Sequence, residues 1–139
     1  MIEVKNLTFT PVDEIFLKKA AENVLKGERK KKFYLSIALI GRSRMKELNK
    51  KYLKRNYATD VLAFPETEKH PKINILGEII ICPQVIKNNA KKFNFVFKKE
   101  LCKVLIHGIL HLLGYGHKKS AKEAEKMERK ENYYLKKMF

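Results

Sequence analysis

Three of the four histidines, His107, His111 and His117, fall inside the fourteen residues V-L-I-H-G-I-L-H-L-L-G-Y-G-H that run from Val104 to His117. The first two are four positions apart. On an α-helix they lie about 40° apart in azimuth and about 6 Å along the axis, so both imidazoles leave one face. Gly114 offers a helix stop, because glycine takes the left-handed C′ conformation without a Cβ penalty. The turn through Tyr115 and Gly116 can then bring His117 back toward the pair. Three nitrogen donors suit zinc better than calcium or magnesium, which prefer oxygen. Nickel or another imidazole-binding ion fits the same donors. From Val104 to Leu113 the only polar side chains are the histidines. A purely structural role would bury imidazoles without partners, at about 1–3 kcal/mol each.

Three histidine ligands leave a fourth position for water, whose pKa zinc lowers to about 7, so the expected nucleophile is a zinc-bound water. It can attack a carbonyl carbon or a phosphorus. The metalloprotease pattern H-E-x-x-H places its general base directly after the first histidine. That place is Gly108, although the spacing through His117 is that of the metzincins. A metzincin-like zinc metallopeptidase is therefore the second reading, without its proton shuttle. A glycine there lets another backbone or a substrate approach the helix.

Charge points the other way. Thirty-one Lys and Arg stand against fifteen Asp and Glu, a net charge of +16. Such an excess calls for polyanionic partners, nucleic acid before anionic membrane, or else is a solvated lysine-rich surface. From Arg42 to Arg55 there are seven basic residues (Arg42, Arg44, Lys46, Lys50, Lys51, Lys54 and Arg55) and one acid, Glu47. A helix bearing them presents a basic face to phosphates, and Arg42, Arg44, Lys50, Lys51 and Lys54 are the expected RNA-binding residues. Tyr52 and Tyr57 can stack on unpaired bases. Asp60 and Glu78 are acids near strand ends that can orient a histidine or a water, or serve only as cap or surface residues.

The positioning elements follow from periodicity. Strands are predicted over Ile2–Phe9, Phe33–Ile40, Thr59–Phe64 and Leu76–Cys82. Helices are predicted over Val12–Lys26, stopped by Gly27, from an N-cap at Ser43 to Leu53, and over Pro83–Phe93. Two more are predicted over Lys98–Leu113 and from an N-cap at Ser120 to Lys137. His70 falls in a polar loop and reads as exposed. Cys82 and Cys102 form no C-x-x-C pair and read as buried apolar residues in a reducing compartment. The fold class is α+β: a single domain over 1–139, with one mixed four-stranded sheet, about five helices, and the histidine helix as a central, largely buried rod. With 45% hydrophobic residues, no signal-peptide pattern and no apolar run of membrane length, a cytoplasmic, monomeric protein without membrane partners or a small-molecule cofactor is expected.

The chain resembles the bacterial YbeY family of ribosomal RNA maturation factors, zinc-dependent endoribonucleases. H-G-I-L-H-L-L-G-Y-G-H is similar to the family's H-G-x-L-H-L-x-G-Y-D-H. L-N-K-K-Y followed by T-D-V-L-A-F-P is similar to L-N-x-x-Y-R followed by P-T-D-V-L-S-F-P, and L-G-E-I-I-I-C-P to its G-D/E-I strand. The resemblance implies one zinc ion on His107, His111 and His117. It also implies single-strand cleavage in maturation of the small-subunit ribosomal RNA 3′ end, ribosome quality control, and the small ribosomal subunit as partner. It departs from the family at Gly116, where the family has aspartate, and at Leu53, where it has the arginine thought to hold the scissile phosphate. Ala63 and Ala58 replace a serine and a proline. Arg55, or Lys54, is the expected replacement for that arginine. A non-catalytic RNA-binding assembly factor with a structural metal is the remaining alternative.

Overall fold

The computed structural model describes residues 1–139. The elements are β1 (Ile2–Asn6), α1 (Glu14–Gly27), β2 (Phe33–Leu39), α2 (Arg42–Leu53), β3 (Val61–Pro65), β4 (Asn74–Ile81), α3 (Pro83–Phe93), α4 (Phe97–Leu112) and α5 (Ala121–Lys136). Their order is the one predicted. The sheet runs β1-β2-β4-β3. β1 and β2 are parallel, β2 and β4 are parallel, and β3 closes the edge antiparallel to β4.

Boundaries moved where local chemistry overrode pattern. β1 ends at Asn6 and not Phe9, because the Asn6 carboxamide bonds Thr8 and Thr10 and turns the chain. α1 starts after Asp13, whose carboxylate accepts from the Phe16 N–H at 3.0 Å, and it runs through Gly27 to a C-cap at Glu28. Ser43 is not the N-cap of α2. The helix begins two residues earlier than that cap would set it, with Gly41 in extended conformation as its cap and the Met45 N–H on the Gly41 carbonyl. Ser120 does cap α5, accepting from the Glu123 N–H at 3.1 Å.

Strand alternation sorts the sheet into two unequal faces. Leu35, Ile37, Leu39, Ile79 and Ile81 point to a core of twenty buried residues that also takes in the inner sides of α1, α3, α4 and α5. Ile40, Leu62, Ile80 and Cys82 belong to the other side and pack with Met45 of α2 in a cluster of five. α4 lies in the larger core, touching α1, α3, α5, β3 and β4. Its Leu105, Ile106, Ile109 and Leu110 are fully buried. Each such side chain adds roughly 1.5–3 kcal/mol of burial, which makes α4 a rigid mount. Gly108 is the reason α4 sits so close to the sheet. A Cβ there would lie 3.1 Å from Ile79 Cδ1 and 3.3 Å from Val61 Cγ2. No helix is long and apolar enough to cross a membrane.

Candidate metal centre

α4 presents His107 and His111 from its C-terminal half as the helical spacing requires, with ring centroids 5.0 Å apart and planes at 78°. α4 ends at Leu112, and Gly114 takes a φ of +101°, the positive-φ stop expected of it. Gly116 follows with φ +79°, and the chain folds back. His117 then stacks on His111, centroids 6.0 Å apart and planes at 28°. The turn thus brings all three rings into one row with His111 at the centre. Burial, with the neighbouring His107 and His117 rings, holds the His111 imidazole below the usual histidine pKa, against a smaller opposing pull from Glu131. A neutral ring keeps the lone pair that a metal requires.

His107 has a partner on another element. Its Nδ1 is hydrogen-bonded to the Glu131 carboxylate of α5. A carboxylate on Nδ1 fixes the ring and leaves Nε2 as the free donor, the arrangement that commonly supports a metal-bound histidine. Asp60 and Glu78 were the acids that sequence reasoning offered for this role, or else for cap or surface roles, and neither is hydrogen-bonded to a histidine. Glu78 shares its strand face with Ile80, opposite α4, and its nearest partner is the Ser36 hydroxyl at 3.4 Å. Asp60 offers its backbone carbonyl to the Cys82 N–H, and its carboxylate lies 3.5 Å from the Thr59 hydroxyl. Glu131 was missed, although a signal exists. It lies one turn after Met127 and three residues before Tyr134, both buried, on the inner face of an otherwise charged helix.

The donors match a zinc-like ion in kind, three imidazoles side by side. As the rings stand, however, no group of three or more His, Cys, Asp or Glu side chains is placed to hold one. His117 Nε2 is engaged 3.1 Å from the His111 carbonyl oxygen, and releasing that contact would free it as a donor.

His111 and His117 line a groove of about 290 Å³, whose other walls are Leu53, Leu112 and the strand Val61–Pro65. Leu53 therefore stands directly beside the histidines. Lys54 caps α2 in the left-handed conformation, φ +56°. Arg55 is exposed, with its guanidinium 3.4 Å from the Tyr57 hydroxyl, and it does not line the groove. Arg42, Arg44, Lys50 and Lys51 are exposed along α2, and none of them, nor Lys54, is in an ion pair. Tyr52 and Tyr57 are both about half exposed, and Tyr52 meets the Phe64 ring edge-on at 5.1 Å. Position 108 faces Ile79 and Val61, so a catalytic glutamate placed there would be buried against the sheet, and no substrate approaches the helix at that point.

The other singled-out residues lie outside the site. His70 is exposed and 3.5 Å from Glu66. Cys82 and Cys102 are free and buried, and burial pushes the Cys102 thiol up to about 11, so it is inert.

An α+β fold with three histidines around the end of its buried helix, and a groove walled by an antiparallel edge strand, narrows the class considerably. A family model described as Endoribonuclease YbeY matches residues 3–139. The Endoribonuclease YbeY of Thermodesulfovibrio yellowstonii is 48% identical over 102 residues, which cover 73% of this chain and 64% of that protein's length. That of Chlorobium luteolum is 32% identical over 138 residues, covering 99% of this chain and 98% of its own. The solution structure of TM1509 from Thermotoga maritima is similar with a TM-score of 0.71 at 33% identity, over 99% of this chain and 89% of that one. The chain belongs to the endoribonuclease YbeY family.

Proposed function

We propose that the protein is a zinc-dependent endoribonuclease of single-stranded RNA, working in the cytoplasm as a monomer on the small-subunit ribosomal RNA 3′ end. The observation that carries this is the groove in which His111 and His117 meet Leu53, the last residue of a helix whose basic side chains are outside any ion pair. His107, His111 and His117 hold the ion, with Glu131 fixing the ring of His107. When bound, a zinc ion acts as a Lewis acid and activates water for attack on phosphorus. The apolar wall from Leu53 and Val61 to Pro65 limits water at the scissile bond, so nearby charges act there with little screening. Leu53 cannot neutralise a phosphate. That role passes to the adjoining turn, to Arg55 after a rotation away from Tyr57, or to Lys54. The direct test is cleavage of an unstructured RNA with and without chelator, and with zinc restored. His111→Ala is expected to lower cleavage by on the order of a thousandfold, the scale of losing the metal's contribution. Undiminished cutting by that variant would end the metal-dependent reading.

A second reading is favoured by Leu53 itself and by the His117 bond to the helix carbonyl. In it the protein binds ribosomal RNA as an assembly factor, and the metal only pins the Gly114–His117 turn. RNA binding that survives metal removal, with no cutting at any metal concentration, distinguishes it.

A further inference from the structure

A second concave surface, of about 570 Å³, lies at the other end of α2, between the β1–α1 connector and Arg42–Arg44. Phe9 stands on it with its ring wholly in water, at 107% relative exposure, and Leu7 beside it is 59% exposed. The connector that carries them is braced. The Asn6 side chain donates to the Thr10 carbonyl at 2.9 Å and accepts from the Thr8 N–H at 3.0 Å and the Thr8 hydroxyl at 2.6 Å. The Leu7 N–H is tied to the Leu39 carbonyl at 2.9 Å. Phe9 is thus presented on a fixed loop. Its ring adds nothing to the core, and the hydrogen bonds on either side of it brace the loop that carries it. Arg42 and Arg44 face it across the surface, both exposed and outside any ion pair, and no acidic residue lines the surface.

A preorganised aromatic face beside two uncompensated guanidinium groups matches an unpaired base and its flanking phosphates. We infer that this surface is a second contact for single-stranded RNA, with Phe9 stacking on a base and Arg42 and Arg44 on the backbone, engaging the same strand that enters the histidine groove. The inference rests on the RNA-directed reading above and adds a remote site to it. α2 sets the distance. Arg42 lies at this surface and Leu53 at the histidines. The eleven helical steps from one to the other rise about 16 Å, roughly five stacked nucleotides. The contact therefore selects for length: a strand too short to reach from the groove to Phe9 gains nothing from it.

The test uses the full chain, treated with chelator so that RNA is bound without being cut, and fluorescence anisotropy on an unstructured fifteen-nucleotide RNA and on a trinucleotide. Phe9→Ala is expected to weaken binding of the longer RNA about tenfold and to leave the trinucleotide unchanged. Phe9→Trp is expected to restore the longer-RNA affinity. An equal melting temperature for all three proteins shows that the fold is intact, as the ring's exposure requires. If wild type binds neither RNA, the RNA-directed reading and this inference fall together. If wild type binds and cuts but Phe9→Ala binds the longer RNA as tightly as wild type, this inference alone is overturned. An equal loss of Phe9→Ala affinity for a polyglutamate peptide would assign the surface to acidic proteins and overturn it as well.

Discussion

The two faces of the sheet are built on different scales. One carries a core of twenty buried residues and the other a cluster of five. The larger face holds α4 from several sides, and from it come His107, His111 and the glutamate that orients His107. The smaller face holds α2 through Met45, Leu48 and their neighbours, and leaves most of that helix's charge in water. Chemistry that needs fixed angles is mounted on the deep core, and binding that needs only charge is mounted on the shallow one. A metal centre is sensitive to ring placement, whereas phosphate attraction falls off gently with distance.

The comparison breaks first under core truncation. Leu105→Ala, on α4 at 0% exposure, is expected to cost about 4 kcal/mol, and Leu62→Ala, at 7% on the opposite side, about 2 kcal/mol. Denaturant unfolding of both variants checks this, and equal losses would remove the asymmetry. Next comes the link between α4 and α5. Glu131→Gln is expected to weaken metal binding about 10- to 100-fold, seen by competition with a chromophoric chelator, with little change in the melting temperature.

A smaller effect is expected at the Glu28 junction. Its carboxylate accepts from Tyr115 Oη at 2.5 Å and Lys130 Nζ at 3.0 Å, and it also meets the Tyr134 hydroxyl. Burial alone would raise its pKa, but the hydrogen bonds from Tyr115, Tyr134 and Lys130 outweigh it, and the net position is below the ordinary 4.5. A carboxyl held below its unfolded value stabilises the fold above that value and loses the contribution as pH falls through the folded one. Wild type should therefore lose stability below about pH 4.5 more steeply than Glu28→Gln, as melting temperatures across pH 3–6 would record. The least effect on stability belongs to α2. Lys50→Gln with Lys51→Gln should change unfolding by less than about 0.5 kcal/mol, yet reduce the salt slope of RNA binding by roughly one to two.

The legibility of the sequence follows the same division. Element order, sheet composition and the burial of α4 were readable, because hydrophobic periodicity records contacts with a large core. The Gly114 stop and the Ser120 cap were readable because each depends on one local residue. The N-cap at Gly41 and the early end of β1 were not. Gly41 caps through backbone geometry alone, and Asn6 diverts its strand through a side-chain turn that alternation does not record. Glu131 was invisible to any search along α4, because it reaches His107 from a helix 24 residues further on. The junction of Glu28 with Tyr115 and Tyr134 joins three elements, with no local spacing to announce it. Leu53 was legible as a departure, but only the groove shows that it stands beside the histidines.

Gly116 carries a consequence in time. Its φ is +79°, and a Cβ there would come within 2.9 Å of the Met127 sulfur and 3.3 Å of His111 Cε1. Of these obstacles to a side chain, the sulfur is the lesser, since it is the far end of a flexible side chain and can turn aside, whereas the left-handed backbone strains most residues whatever the space. Asparagine and aspartate bear that conformation best among residues with a Cβ. The substitutions open to a lineage at this place are therefore few, and the turn itself, more than the room around it, sets which they are.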